Sequence, residues 1–182
     1  ARALGVEDGD LKRMREEVAD NLRREVRKRI EARVKDQAMK LLLEANPIET
    51  PKALVDAEAA QLAENMRREM AGQGVDTKNM PVDPAWFGEQ AVRRVKLGLI
   101  LAEVVREKKL QARPEQVREM VEEAAQSYEQ PAEVVRWYYS QQQQMAQVET
   151  LVIENNVVEW VLANAAAVDK PMTFDELMGS AA

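Results

Sequence analysis

The sequence contains no cysteine and no histidine. Without cysteine there is no disulfide framework and no thiolate chemistry, a usage that fits a cytoplasmic setting. Without histidine there is no imidazole base, so neither a Ser-His-Asp nor a Cys-His arrangement can be assembled, and no zinc site of the usual kind. Glycine is also scarce, at seven residues. Gly72-Gln73-Gly74 lacks the strand-before, helix-after context of a phosphate-binding loop. No uninterrupted apolar run approaches the length of a membrane span. The opening ARALGVEDGD has no succession of basic, apolar and cleavage-site residues, so no signal peptide is expected there. Glu16-Glu17 and Glu122-Glu123 are neighbours in sequence only, since adjacent helical positions do not face each other. Neither catalysis, nor a metal, nor any cofactor is expected of these residues.

What is there is a soluble, mostly helical composition: 46% hydrophobic and 32% charged over 182 residues. The net charge of −6 argues against a general nucleic-acid binder. The charge is uneven, however, because Leu11 to Lys40 has more Lys and Arg than Asp and Glu, with Arg23-Arg24 and Arg27-Lys28-Arg29 as its densest points. A solvated helix with ion pairs four residues apart, such as Glu25 with Arg29 and Glu31 with Lys35, accounts for this. A phosphate-contacting face is the alternative.

All seven prolines fall where helices should begin or end. A first helix is expected from an Asp10 N-cap to about Ala45, stopped by Asn46-Pro47. Its apolar positions, Val18, Leu22, Val26, Ile30, Val34, Ala38 and Leu42, recur every fourth residue. Each such step overshoots a full turn by roughly 40°, so the stripe winds round the helix and must pass from one neighbour to another. A second helix should open at Thr50-Pro51 and end at Gly72-Gln73-Gly74. A third, from Asp83-Pro84, contains VKLGLILAEVV (Val95 to Val105), apolar almost all round and so expected to be buried on several sides. Gly98 within it would permit a close backbone approach. A fourth helix from Arg113-Pro114 should turn Val117, Met120, Val121, Ala124 and Tyr128 inward. A fifth opens at Gln130-Pro131, a long sixth follows Ser140 to about Ala167, and Thr173 with Glu176 forms a capping box for one final turn. With no convincing strand pair and no fixed-period repeat, the fold class is all-α, built of long antiparallel helix hairpins.

Two surfaces stand out. In PAEVVRWYYSQQQQM, three consecutive aromatics occur in a chain that is only 4% aromatic. Consecutive helical residues point about 100° apart, so the three cannot share one core. Val134, Trp137 and Tyr138 are expected on one face and Val135 and Tyr139 on the next. The helix is then either wedged between two neighbours or packed on one side with an aromatic patch on the other. Leu62, Met66 and Met70 pose the same choice, since a methionine-rich stripe serves a core or a surface that accepts many partners.

Several stretches resemble the C-terminal domain of the bacterial trigger factor family. They are GVEDGDLKRMREEVADNLRREV, NPIETPKALVDAE, FGEQAVRRVKLGLILAEVVR, YEQPAEVVRWYYS and the closing TFDELM. The resemblance spans essentially the whole chain in the family's order, and the N-P-I-E-x-P-x-x-L turn from Asn46 to Leu54 is its most specific piece. It implies a single helical substrate-binding domain over residues 1–182, a body with two hairpin arms forming a cradle. It also implies ATP-independent binding of unfolded or nascent polypeptides beside the ribosome. On that basis the client-binding positions are Leu62, Met66 and Met70 near one arm tip and Tyr128, Val134, Trp137 and Tyr138 near the other. Ala124 stands where some members carry a larger apolar residue. The ribosome-docking loop and the peptidyl-prolyl isomerase domain of the family have no counterpart in these residues, so ribosome contact is expected only through a part outside them. No nucleic acid or membrane partner is expected, and a homodimer is possible. The rival reading is a helical scaffold, adaptor or dimerisation module that binds one defined partner.

Overall fold

The computed structural model describes residues 10–75, 82–126, 128 and 130–179. Every regular element among them is helical. Helix α1 spans Leu11–Ala45, α2 Lys52–Gly72, α3 Gly88–Lys108, α4 Pro114–Ala125, α5 Pro131–Ser140, α6 Gln142–Asn164 and α7 Phe174–Met178, with a 3₁₀ turn at Pro84–Phe87 leading into α3. The all-α reading holds.

The ends follow from local chemistry. The Asp10 carboxylate accepts from the Lys12 backbone N–H at 2.8 Å, satisfying one of the donors a helix start leaves unpaired. At the far end of α1 the Asn46 side chain donates to the Leu42 carbonyl at 2.9 Å. Asp83 caps the 3₁₀ turn through Ala85 N at 2.9 Å, with Pro84 in the first turn. Helix α3 ends on Lys109, whose φ of 57° lies in the left-handed region. Gln116 accepts from Arg113 N at 3.1 Å to open α4. Between α5 and α6 a single extended residue, Gln141, breaks the helix, while Ser140 Oγ donates to the Trp137 carbonyl at 2.7 Å.

Most of the buried residues among those described form three small cores. The first joins α1, α3 and α6 through Ala38, Met39, Leu42, Ile100, Val157 and Val161. The second joins α4 and α6 through Val117, Val121, Val148 and Val152, with Val135 and Tyr138 of α5 packed against them. The third, Ala59, Leu62 and Ala91 with Val55 and Phe87, holds α2 to α3 and the 3₁₀ turn. The α1 stripe does change neighbours along its length: α7 packs on α1, and α1 packs in turn on α3 and α6. A few charged and polar contacts tie these elements together. Lys35 pairs with Glu154 of α6, and not with Glu31 as the spacing suggested. Glu25 and Arg29 do approach, at 3.6 Å.

Three packing expectations are corrected. The run Val95 to Val105 is not buried on several sides: Ile100 is buried, but Leu99 and Gly98 are exposed. Gly98 meets no close neighbour, and a Cβ there would find open space. In the fourth helix Val117 and Val121 turn inward, whereas Ala124 and Tyr128 are exposed and the buried residue at the end of α4 is Ala125.

Candidate functional site

Large apolar side chains are exposed in several places among the described residues, and two of these places hold the groups singled out from the sequence. On α5, Val135 and Tyr138, three residues apart, face the core shared with α4 and α6. Trp137 and Tyr139 flank them and stay half exposed, at 49% and 51%. The expected grouping of Trp137 with Tyr138 on one face is therefore replaced by an edge contact, with ring centroids 5.1 Å apart and planes at 78°. Val134 is half-buried, and Tyr128, just beyond α4, is exposed. The three consecutive aromatics are divided between core and solvent, as helical geometry requires. Arg118 lies beside this face and is held more basic than usual, first by its hydrogen bond with Glu122 (2.7 Å) and then by that carboxylate's charge.

The second place is α2 with α3. Leu62 is buried in the small core there, Met70 is half-buried and Met66 is 40% exposed. Leu62 therefore supports this surface from beneath, while Met66 and Met70 reach it. Nearer the start of α2, Leu54 and Ala57 face Val95, Gly98 and Leu99 of α3 across a shallow apolar groove. An ion pair between Arg94 and Glu58, 2.9 Å, crosses its rim. Sequence reasoning missed Leu54 and Leu99 as surface residues. The signal was present in the continuous apolar run of α3, which has more apolar sides than the pair of helices has faces to cover them.

The two places do not meet. Neither α2 nor α3 touches α4 or α5 among the described residues. The groups from the sequence reading thus fall into two patches, Met66 and Met70 on α2, and Tyr128, Val134, Trp137 and Tyr138 around α5. Among the described residues no charged side chain is buried and no group of acidic residues could hold a metal ion. No helix among them is long and apolar enough to cross a membrane.

Residues 10–163 match the family described as "Bacterial trigger factor protein (TF) C-terminus". The chain belongs to that family. It is also 61% identical over its whole length to the trigger factor of Aromatoleum aromaticum and 60% identical to that of Azoarcus sp.. The trigger factor of Dechloromonas aromatica is 58% identical over 98% of the chain. In the first two cases the chain spans 42% of the relative's length, and in the third 41%. The family match covers both patches, so the exposed aromatics of α5 and the α2–α3 groove lie within the family's own domain.

Proposed function

We propose that these residues form the client-binding domain of an ATP-independent chaperone, which holds unfolded or nascent polypeptides and keeps them from aggregating. The observation that carries this reading is the pair of separated apolar regions, one around Trp137 and Tyr139 and one along α2 and α3, where Leu54 and Leu99 face each other across a groove and Met66 lies exposed farther along α2. Both lie open on helices and neither forms a deep pocket.

An open apolar surface suits an unfolded chain, which offers scattered apolar side chains and no fixed shape. Burying a part-exposed apolar side chain contributes about 1 kcal/mol, so a handful of contacts, less the cost of ordering the client, gives roughly micromolar binding. Methionine adapts to unlike partners, and a rigid aromatic gives area at little entropic cost. On this reading the patches are the two sides of a cradle, and the client-binding residues are Met66, Met70, Tyr128, Val134 and Trp137. Leu62 and Tyr138 support them. Ribosome docking and prolyl isomerisation, which the family resemblance ties to other domains, are not assigned to these residues, and the cytoplasm is the setting in which such clients arise.

The test is the aggregation of a chemically denatured protein diluted into buffer, followed by light scattering without nucleotide. Suppression at a few-fold molar excess of the domain is the expected result. A requirement for ATP would overturn this reading, and binding to one folded partner with indifference to unrelated unfolded proteins would instead favour the adaptor reading.

A further inference from the structure

The first half of α1 carries an apolar strip that the two patches do not include. Leu22 and Ile30 are each 48% exposed, Val26 between them is half-buried, and Phe174 of α7 closes one side of the groove they form. Arg23, Arg27 and Glu31 line the same groove. Arg23 is bonded to Asp20 at 2.7 Å, while no carboxylate among the described residues pairs with Arg27. A molecule of net charge −6 thus presents here an apolar floor with a cationic shoulder.

The chain itself indicates what this strip accepts. Helix α7 packs on α1 and on no other helix among the described residues. Its sequence, Phe174-Asp175-Glu176-Leu177-Met178, places two apolar residues three apart with two carboxylates between them. Leu177 is buried against α1, and Arg33 of α1 donates to the Glu176 carbonyl at 3.4 Å and to Met172 Sδ at 3.1 Å. The seat of this acidic amphipathic turn ends at Phe174. The strip continues past it through Ile30, Val26 and Leu22, with Arg27 and Arg23 alongside.

We propose that the exposed strip of α1 at Leu22, Val26 and Ile30 is a docking surface for acidic amphipathic polypeptide segments, whose carboxylates are met by Arg23 and Arg27. The site is separate from the two patches and does not depend on the reading given for them. Complementary charge selects the sign of the segment, and the aliphatic floor requires that apolar residues recur on one of its faces. A nucleic acid fits less well, because bases bind by stacking on aromatic rings and this floor offers aliphatic side chains with Phe174 at one edge.

The test uses a fluorescein-labelled synthetic peptide that repeats the Phe-Asp-Glu-Leu-Met pattern, with a control in which lysine replaces each acid. Fluorescence anisotropy should show saturable binding of the acidic peptide and none of the lysine peptide. Affinity should fall about tenfold or more in an Arg23→Glu, Arg27→Glu double variant, and several-fold as salt rises from about 50 to 300 mM. Both arginines are exposed, so an unchanged urea midpoint is expected for that variant. Ile30→Asp provides an independent loss through the floor. Equal binding of the lysine peptide, or an undiminished affinity in both variants, overturns the proposal. So does a single-stranded RNA oligonucleotide that binds through Arg23 and Arg27 when the acidic peptide does not. Sedimentation showing self-association that the double variant abolishes and the peptide cannot displace would assign the strip to a second copy, and would also overturn it.

Discussion

Trp137 and Tyr138 are adjacent, touch edge to face, and do different work. Tyr138 packs on the core of α4 and α6, whereas half of Trp137 faces solvent. Truncating each to alanine should separate binding from folding. Tyr138→Ala should lower stability by about 2–3 kcal/mol, since it opens space beside a packed core. Trp137→Ala should move the urea midpoint little and weaken the grip on an unfolded protein roughly tenfold, the loss of about 1.5–2 kcal/mol common for an aromatic anchor. Titration with an unfolded protein beside a urea melt reads both quantities. If Trp137→Ala instead collapses the midpoint while the folded fraction binds as before, its ring is structural. Leu62 belongs with Tyr138 in this respect, being buried in the core of α2 and α3, and Met66 belongs with Trp137.

At the scale of elements, the clearest case for a measurement is α7. Its capping box is complete: Thr173 N donates to Glu176 Oε2 at 2.8 Å, Thr173 Oγ1 donates to the same oxygen at 3.0 Å, and Glu176 N donates back to Thr173 Oγ1 at 3.3 Å. These bonds favour the ionised carboxylate, the backbone one most, and hold its pKa below the ordinary 4.5. A carboxyl group whose folded pKa is depressed contributes stability that is present above its unfolded pKa. That contribution is lost as pH falls through the lower, folded value. The turn should therefore hold on α1 at neutral pH and loosen in acid, below the ordinary carboxylate range. An NMR titration of the Glu176 side chain should give a midpoint under 4.5, and Thr173→Ala should move it upward; a midpoint at or above 4.5 in the unsubstituted chain would contradict the box. This element was legible from Thr173 and Glu176 alone, as were the other helix starts, because a proline or a short polar cap imposes its structure locally. Burial was less legible. Val95 to Val105 looks like an enclosed helix, yet how many of its sides are covered depends on how many helices pack there, which periodicity does not encode. The same limit put Tyr128 inside α4 and paired Lys35 with Glu31, when the carboxylate of Glu154 on a distant helix is its partner.

For the whole molecule, the decisive feature is that its core is divided. Ala59, Leu62 and Ala91 hold α2 and α3; Val117, Val121, Val148 and Val152 hold α4 to α6; and the third cluster lies where α1, α3 and α6 meet. Helix α6 joins two of them, contributing Val148 and Val152 to one and Val157 and Val161 to the other. Between these sets stands Asn156, whose amide donates to the Leu110 carbonyl at 3.2 Å and accepts from Gln116 at 2.7 Å. Small, separate cores predict separate openings, since local stability follows the buried contacts each unit makes. Val121 is fully buried in the α4–α6 cluster, and Val121→Ala should cost about 2 kcal/mol there. In native-state hydrogen exchange, the amides of α4, α5 and the first half of α6 should then lose protection by roughly 30-fold, the factor that energy implies. Those of α2 and α3, which share no contact with α4 or α5, should keep theirs. An equal loss throughout the chain would mean that the three clusters unfold as one. A confined loss would mean that each patch rides on a unit able to open and close by itself, so that, on the proposed client-binding reading, the two apolar surfaces could adjust independently to clients of different size.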